Sequence, residues 1–182
     1  KLQAPEGKVW FLPHFQVYHP KKPNQIRVVF DCSAVFENDS LNKHLLQGPD
    51  WMKALVGVLT RFRKEEVAVS CDIEQMSHSF YVNEEHRDYL RFLWFQDSDI
   101  DKPIKEYRMN VHLFGAVSSP GVANFGLTAT AQEGREEFGK KPSEFLQEDF
   151  YVDDGLKSFP SAEDAVATIK DAQGVCASAN LR

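Results

Sequence analysis

Phe150-Tyr151-Val152-Asp153-Asp154-Gly155 places two adjacent carboxylates between apolar segments of the chain. Residues 145–152 and 156–159 are apolar enough to be strands, and Asp-Asp-Gly is typical of a hairpin turn. We therefore predict a β-hairpin with Asp153, Asp154 and Gly155 at its tip. On the residues alone, an ordinary turn is the favoured interpretation of this sequence.

A third carboxylate stands in an unusual context upstream, where the apolar segment Val67–Asp72 ends on Asp72. A strand end is a poor place for an unpaired charge, and the adjacent carboxylates Asp153 and Asp154 repel each other. A divalent cation would relieve both problems, because Mg²⁺ in proteins takes a few carboxylates and completes its shell with water and phosphate. The three aspartates are therefore a candidate metal site, provided that Asp72 and Asp153 meet at one end of a sheet.

The remaining segments alternate strands and helices irregularly, which favours an α+β fold over a doubly wound parallel sheet. Ser119-Pro120 has the residue types of a helix cap and a first helical position, so a helix is expected from there to about residue 138. Other helices are predicted over residues 50–62 and 161–177. The other predicted strands cover residues 9–18, 26–30, 67–72, 89–95 and 107–113.

The composition is that of a globular protein: 42% of the 182 residues are hydrophobic and 26% are charged, which argues against disorder and coiled coil. Residues 1–64 carry 10 basic and 5 acidic side chains, whereas residues 65–182 carry 11 and 22. A basic lobe beside an acidic one could bind phosphates and divalent cations, although ordinary surface patchiness is the simpler explanation. No apolar run approaches the roughly 18 residues of a membrane span, and three cysteines without CxxC spacing favour a reducing, intracellular setting.

Four motifs resemble those of reverse transcriptases, and they follow one another in that family's order. Residues 150–154 resemble the Tyr-x-Asp-Asp box, and residues 69–74 resemble the strand that carries the first aspartate. Residues 113–120 resemble the Gly-x-x-x-Ser-Pro turn before a template-contacting helix, and residues 26–31 resemble the fingers strand whose arginine grips the incoming triphosphate. A narrower resemblance, to Bel/Pao-type LTR retrotransposons, rests on Phe11-Leu12-Pro13-His14, Arg27-Val28-Val29-Phe30-Asp31, Leu46-Gln47-Gly48-Pro49-Asp50, Tyr107-Arg108-Met109 and Val111-His112-Leu113-Phe114-Gly115.

This resemblance implies the fingers and palm of a right-hand polymerase, an α+β fold in which helices back a ferredoxin-like antiparallel palm sheet. Residues 1–64 would form a fingers-like basic lobe, and residues 65–182 would form the palm with a fingers hairpin at about 88–112. We expect the chain to stop before the last palm strand and the thumb. A longer polyprotein would supply those parts together with a ribonuclease H region.

The resemblance also assigns catalytic roles. Asp72 and Asp153 would ligate two Mg²⁺ ions, for which Mn²⁺ could substitute, and Asp154 would be a supporting carboxylate beside them. The backbone carbonyl of Ile73 would complete the shell of the second ion. Metal-assisted transfer of a nucleotide to a primer 3′-hydroxyl is the chemistry that such a site would perform.

Nucleotide binding is expected from residues earlier in the chain. Arg27 would pair with the β- and γ-phosphates, helped by Lys22 or Lys21, although a solvated strand residue explains Arg27 as well. Phe114 and Gly115 would flank the nascent base pair, where glycine permits close backbone approach; turn formation alone also explains Gly115. The residues expected to contact template and primer are Tyr151, Ser119 and Pro120.

The sequence departs from the family pattern near Asp72. Ser77 stands where the family usually has an aromatic residue that blocks a ribose 2′-hydroxyl, and Gln75 and Ser79 replace a common lysine and glutamine. These changes are typical of a decaying or co-opted copy. A two-metal nuclease or phosphatase is a third class, which would need a further carboxylate or histidine close to Asp72. Glu74 would share the face of Asp72 only if the strand continues past it.

The function predicted from the sequence is RNA-directed DNA polymerase, that is, a reverse transcriptase domain acting on an RNA or DNA template with a primer and deoxynucleoside triphosphates. The alternative is an impaired or co-opted retroelement relic that keeps the fold and weak nucleic-acid binding. We expect no membrane partner and a location in the cytoplasm or in virus-like particles.

Overall fold

A computed structural model of the protein describes residues 7–19, 22–50 and 53–182, without the side chains of His19 and residues 22–25, and these residues form two units. The first unit contains the described residues up to Gln47 together with Tyr81–Ser119. The second contains the described residues of Gly48–Phe80 together with Pro120–Arg182. Within these ranges, every helix is too short or too polar to cross a lipid bilayer.

The strands are β1 His14–His19, β2 Lys22–Phe30, β3 Val67–Asp72, β4 Arg91–Phe95, β5 Ile104–Arg108, β6 Phe150–Tyr151 and β7 Asp154–Phe159. The α-helices are α1 Leu41–His44, α2 Leu55–Phe62, α3 Ser119–Glu133, α4 Arg135–Phe138, α5 Lys140–Glu148 and α6 Ala162–Ser178. Short 3₁₀ helices cover Met76–Ser79, Glu84–Leu90 and Gln96–Ser98.

The first unit is built on two antiparallel strand pairs, β1 with β2 and β4 with β5. Aromatic rings pack between them, since the His14 ring centroid lies 5.4 Å from that of Phe30 and 5.7 Å from that of Phe92. An isolated parallel bridge joins Phe11 to Arg91. The buried core of this unit consists of Leu12, Cys32, Leu41, Val82, Leu90, Leu113 and Ala116.

The second unit is an antiparallel sheet in the order β3-β7-β6, with helices packed against it. Side chains of β3 alternate between half-buried and exposed, so that Cys71 joins the core while Ser70 and Asp72 are exposed. The core on the covered face draws on α3, α5 and α6, and its buried members are Ile73, Met76, Ala123, Leu127, Ala131, Phe145, Leu146, Phe150, Ala172, Val175, Cys176 and Leu181. Helices thus cover one face of the sheet, whereas Ser70 and Asp72 of β3 are exposed.

Gly155 allows the three strands to pack closely at the aspartate end of the sheet. It pairs with Cys71 on one side and Phe150 on the other. A Cβ atom at this position would lie 2.6 Å from Cys71 Sγ and 2.6 Å from the Phe150 ring. Any larger residue would therefore displace the Cys71 or Phe150 side chain.

All three cysteines are free thiols. Cys32 is buried in the core of the first unit, where burial and then the neighbouring Asp31 raise its pKa to about 11. Cys176 is buried in the core of the second unit, where burial and then the nearby Cys71 raise its pKa to about 11. At neutral pH these thiols are therefore protonated and unreactive.

Mixed helices and antiparallel strands confirm the predicted α+β class, and β3 has the predicted bounds. Helix α6 begins as expected after Ser161, whose hydroxyl accepts a hydrogen bond from the Asp164 amide at 3.2 Å. The helix predicted over residues 50–62 begins at Leu55. The one predicted from Ser119 ends at Glu133, and Arg135–Phe138 forms a separate turn of helix.

The prediction for residues 145–152 is wrong in its first part, because Lys140–Glu148 is helix α5 and only Phe150–Tyr151 is strand. Adjacent apolar residues fit a buried helix as well as a strand, so the local pattern could not separate the two. The tip is also displaced from the predicted Asp153–Gly155. Since Tyr151 pairs with Asp154, the turn consists of Val152 and Asp153.

Four other strands have different bounds from those predicted, and β2 begins at Lys22, four residues before the predicted start at 26. β1 begins at His14 and β4 at Arg91, five and two residues later than expected from the predicted starts at 9 and 89. The strand predicted over residues 107–113 is Ile104–Arg108 instead. After Arg108 the Met109 amide still donates to the Leu90 carbonyl at 3.0 Å, and Val111 then forms an isolated bridge with Tyr81.

Gly155→Ala is expected to lower the free energy of unfolding by about 1–3 kcal/mol, because the added methyl overpacks the site between Cys71 and Phe150. Urea unfolding followed by circular dichroism measures this change. Gly57→Ala in α2 is the matched control, since its Cβ would meet only Arg61 Nη1 at 3.4 Å and alanine favours helix by up to about 1 kcal/mol. Equal midpoints for Gly155→Ala and wild type would contradict the close packing.

Candidate active site

Strand pairing brings the predicted carboxylates to one end of the β3-β7-β6 sheet. In the register of β3 with β7, Asp72 lies opposite Asp154. Immediately after β3, the Ile73 amide donates to the Asp153 carbonyl at 3.1 Å. The backbone thus ties the end of β3 to the hairpin turn, and residues distant in sequence become neighbours.

The turn between β6 and β7 has a strained backbone. Val152 has φ of +58°, which is unusual for a β-branched residue. Positive φ at the first of two central residues is the pattern of a type II′ turn, where glycine is usual. Such strain persists only where the flanking structure holds the chain, as the pairing of Tyr151 with Asp154 does here.

The carboxylates interact electrostatically. Partial burial, followed by the negative charges of Asp153, Asp154 and Glu74, raises the pKa of Asp72 above its ordinary value. Glu74 contributes although β3 ends at Asp72, because the turn after the strand keeps it nearby. This end of the sheet therefore concentrates negative charge, and a cation would stabilise it.

Three other predicted site residues, Tyr151, Ser77 and Pro120, belong to the second unit, and Ser119 is the last residue of the first unit. Tyr151 is half-buried and directly opposite Asp154, and Ser77 is half-buried in the 3₁₀ turn Met76–Ser79. Pro120 is exposed in the first turn of α3. Ser119, at the start of that helix, is buried, and its hydroxyl has no hydrogen-bond partner among the described residues.

The predicted nucleotide-binding residues belong to the first unit. Arg27 is exposed on β2 opposite Val17, and Phe114 is 69% exposed. Gly115 has φ of +106°, and a Cβ there would lie 3.2 Å from the Phe30 carbonyl oxygen, so glycine is required by both conformation and space. The side chain of Lys22, and Lys21 entirely, lie outside the described residues.

The sequence analysis missed Asn42, which holds the loop around Gly115. Its amide nitrogen donates to the Gly115 carbonyl at 3.1 Å, and its carbonyl oxygen accepts from the Val117 amide at 2.9 Å. The sequence around Asn42 does not distinguish it from a solvent-exposed polar residue of α1. Its role depends on partners more than 70 residues away.

A metal ion at the aspartates would need ligands from outside the protein. Within the ranges that the structure covers, no three His, Cys, Asp or Glu side chains are grouped closely enough to hold an ion by themselves. Mg²⁺ in phosphoryl-transfer sites commonly takes one or two carboxylates, with water and substrate phosphates as its other ligands. The Asp72 and Asp153 region fits an ion held in that way.

Comparison with known proteins identifies the fold. No protein-family model matches the sequence, and no curated protein matches it significantly. A solved structure of the prototype foamy virus protease–reverse transcriptase, a CSH mutant, matches 97% of this chain with a TM-score of 0.69 and 16% identity. The chain has a reverse-transcriptase-like fold. It spans 20% of the length of that viral chain.

Two further structures of foamy viral protease–reverse transcriptase support the same fold. One is in complex with double-stranded DNA, and it matches 94% of this chain with a TM-score of 0.65 and 16% identity. The other is in complex with an RNA/DNA hybrid, and it matches 93% with a TM-score of 0.66 and 14% identity. This chain spans 25% and 19% of those two chains.

Asp72→Asn is expected to stabilise the protein at neutral pH. Because the pKa of Asp72 is raised in the folded state, wild-type stability falls as pH rises through the carboxyl range, and removing the charge abolishes this loss. The gain at pH 7 should be roughly 0.2–1 kcal/mol, the strength of exposed charge pairs, and should vanish below about pH 3.5.

Urea unfolding at several pH values measures this difference. Glu66→Gln, an exposed carboxylate just before β3, is the matched control and should show no such pH-dependent gain. An Asp72→Asn protein that is less stable than wild type at pH 7 would show that the carboxylates do not repel each other in the folded state.

Proposed function

We propose that this protein is the fingers and palm region of a reverse transcriptase, adding deoxynucleotides to a primer 3′-end by two-metal-ion nucleotidyl transfer. The observation that carries the proposal is the meeting of Asp72 with Asp153 and Asp154 at one end of a sheet in a reverse-transcriptase-like fold. The first unit would correspond to fingers and the second to palm. Assignment to a Bel/Pao-type element rests on the sequence runs alone.

Asp72 and Asp153 would hold Mg²⁺ or Mn²⁺, with Asp154 beside them and the Ile73 carbonyl as a further oxygen ligand. When bound, the ions would activate the primer 3′-hydroxyl and stabilise the leaving pyrophosphate. The protein contributes a preorganised negative site, because the strand register holds its carboxylates together against their repulsion. A bound cation would offset the burial and the neighbouring negative charges that raise the pKa of Asp72.

Substrate contacts would come from exposed groups. Arg27 offers a planar guanidinium for bidentate pairing with the triphosphate, with Lys22 as a second cation. Phe114 would flank the base pair, and its 69% exposure leaves the ring free for stacking. Pro120, which is exposed, and Tyr151, which is half-buried, would contact the template and primer, whereas Ser119 is buried and would support the start of α3. Relatives of this fold solved with double-stranded DNA and with an RNA/DNA hybrid support a nucleic-acid partner.

Single-nucleotide primer extension on an RNA template, with Mg²⁺, low salt and saturating primer–template, tests the proposal. Asp153→Asn should reduce extension at least about 100-fold, because removing a metal-binding carboxylate forfeits several kcal/mol of transition-state stabilisation. Asp171→Asn, an exposed carboxylate on α6, should extend at the wild-type rate. A folded wild-type protein that binds the duplex but extends nothing would indicate a relic instead.

A two-metal nuclease or phosphatase is the second candidate, because Glu74 lies close enough to raise the pKa of Asp72. The same reaction tests it. Mg²⁺-dependent cleavage of the duplex without nucleotide addition, lost in both Asp72→Asn and Glu74→Gln, would favour hydrolysis over polymerisation.

Ser77→Phe is expected to increase discrimination against ribonucleotides by about 10-fold or more, since a bulky ring beside the sugar would exclude the 2′-hydroxyl, and even one methylene in a binding site is worth about 1–3 kcal/mol of selectivity. The measurement is the ratio of kcat/KM for a deoxynucleotide to that for the matching ribonucleotide. Ser79→Phe, in the same 3₁₀ turn, is the control and should leave the ratio unchanged. Strong discrimination in wild type, unaltered by Ser77→Phe, would remove Ser77 from the sugar-binding site.

A further inference from the structure

Asp149 is a buried carboxylate that directly precedes the aspartate hairpin. Its side chain is 2% exposed and accepts from two cationic side chains, Arg61 Nε at 2.8 Å and Lys157 Nζ at 2.5 Å. Arg61 belongs to α2, and Lys157 belongs to β7. One carboxylate thus joins the end of α5 to a second helix and to the returning strand of the hairpin.

Backbone bonds at the same residue fix the open end of the hairpin. The Leu156 amide donates to the Asp149 carbonyl at 2.8 Å, and the Asp149 amide donates to the Phe145 carbonyl at 3.1 Å. The Arg61 guanidinium also donates to the Glu148 carbonyl. The chain entering β6 is therefore held by side-chain and main-chain contacts together.

The hairpin is short enough for this anchor to control its tip. Only Phe150 and Tyr151 separate Asp149 from the turn, so the anchor and Asp153 are at most about 13 Å apart along an extended chain. Val152 at the turn is strained, and a strained turn keeps its geometry only while both strands are held. A shift at Asp149 would therefore be transmitted to Asp153.

We propose that Asp149 is a positioning residue, which through its ion pairs with Arg61 and Lys157 fixes the hairpin and thereby sets the affinity of the Asp72–Asp153–Asp154 carboxylates for divalent cations. The inference rests on the proposed function only in taking those carboxylates as metal ligands. Groups that orient metal ligands from the next layer of contacts typically change metal affinity 10–100-fold when they are replaced.

Mn²⁺ alone is the probe, titrated into the full chain without nucleic acid and followed by electron paramagnetic resonance. Asp149→Asn should raise the Mn²⁺ Kd about 10–100-fold. Glu148→Gln is the matched control, because this neighbouring carboxylate is 51% exposed and pairs with Lys53 at 3.0 Å; it should bind Mn²⁺ as wild type does. A purely structural role would lower the urea midpoint of Asp149→Asn without changing its Mn²⁺ Kd.

Arg61→Lys covers the case in which Asp149→Asn does not fold, since it keeps the positive charge but cannot bond both the Asp149 carboxylate and the Glu148 carbonyl with one planar fork. It should also raise the Mn²⁺ Kd. Wild-type Mn²⁺ affinity in the folded variants would overturn the positioning role. Mn²⁺ binding that Asp153→Asn abolishes, in a protein that extends no primer, would overturn polymerisation and leave the positioning role standing. A wild type that binds no Mn²⁺ would overturn the positioning role, and primer extension would decide polymerisation separately.

Discussion

The repulsion among the carboxylates at the end of β3 is the constraint on which the second unit depends. Asp72 lies opposite Asp154, and partial burial followed by the negative charges of Asp153, Asp154 and Glu74 raises its pKa. Pairing of six residues along β3 and β7, together with the apolar core behind the sheet, holds these groups together. The burial of apolar side chains therefore supplies the free energy that holds these carboxylates together against their repulsion.

Two glycines allow close packing in the core behind these carboxylates. Gly155 brings Cys71 and Phe150 against the middle strand, and Gly134 leaves room for Val175 of α6. In each case a side chain of one element fills the space that a Cβ of another would occupy. The sheet and its helices therefore pack closely, and the pairing of β3 with β7 decides which residues reach the aspartate end.

Local patterns were sufficient for β3, α6 and the existence of the hairpin, because apolar alternation and capping residues act within a few positions. They were insufficient for α5, where Phe145 and Leu146 suit either a helix or a strand, and for the turn, which lies one residue earlier than Asp-Asp-Gly suggests. The sequence could not reveal Asn42 or Asp149 either. Asn42 bonds to Gly115, 73 residues away, and Asp149 bonds to Arg61, 88 residues away, and only the folded chain brings these partners together.

The buried thiols give each unit its own reporter of opening. Cys32 lies in the core of the first unit and Cys176 in that of the second, and the pKa of each is about 11, so an alkylating reagent at neutral pH can reach and modify them only when the surrounding core opens. Labelling rates at the two sites, read by peptide mass, would therefore compare the local stability of the two units within one intact chain. Such a comparison shows whether the two units open together or separately. A bulk unfolding curve does not show this, because its signal is averaged over both units.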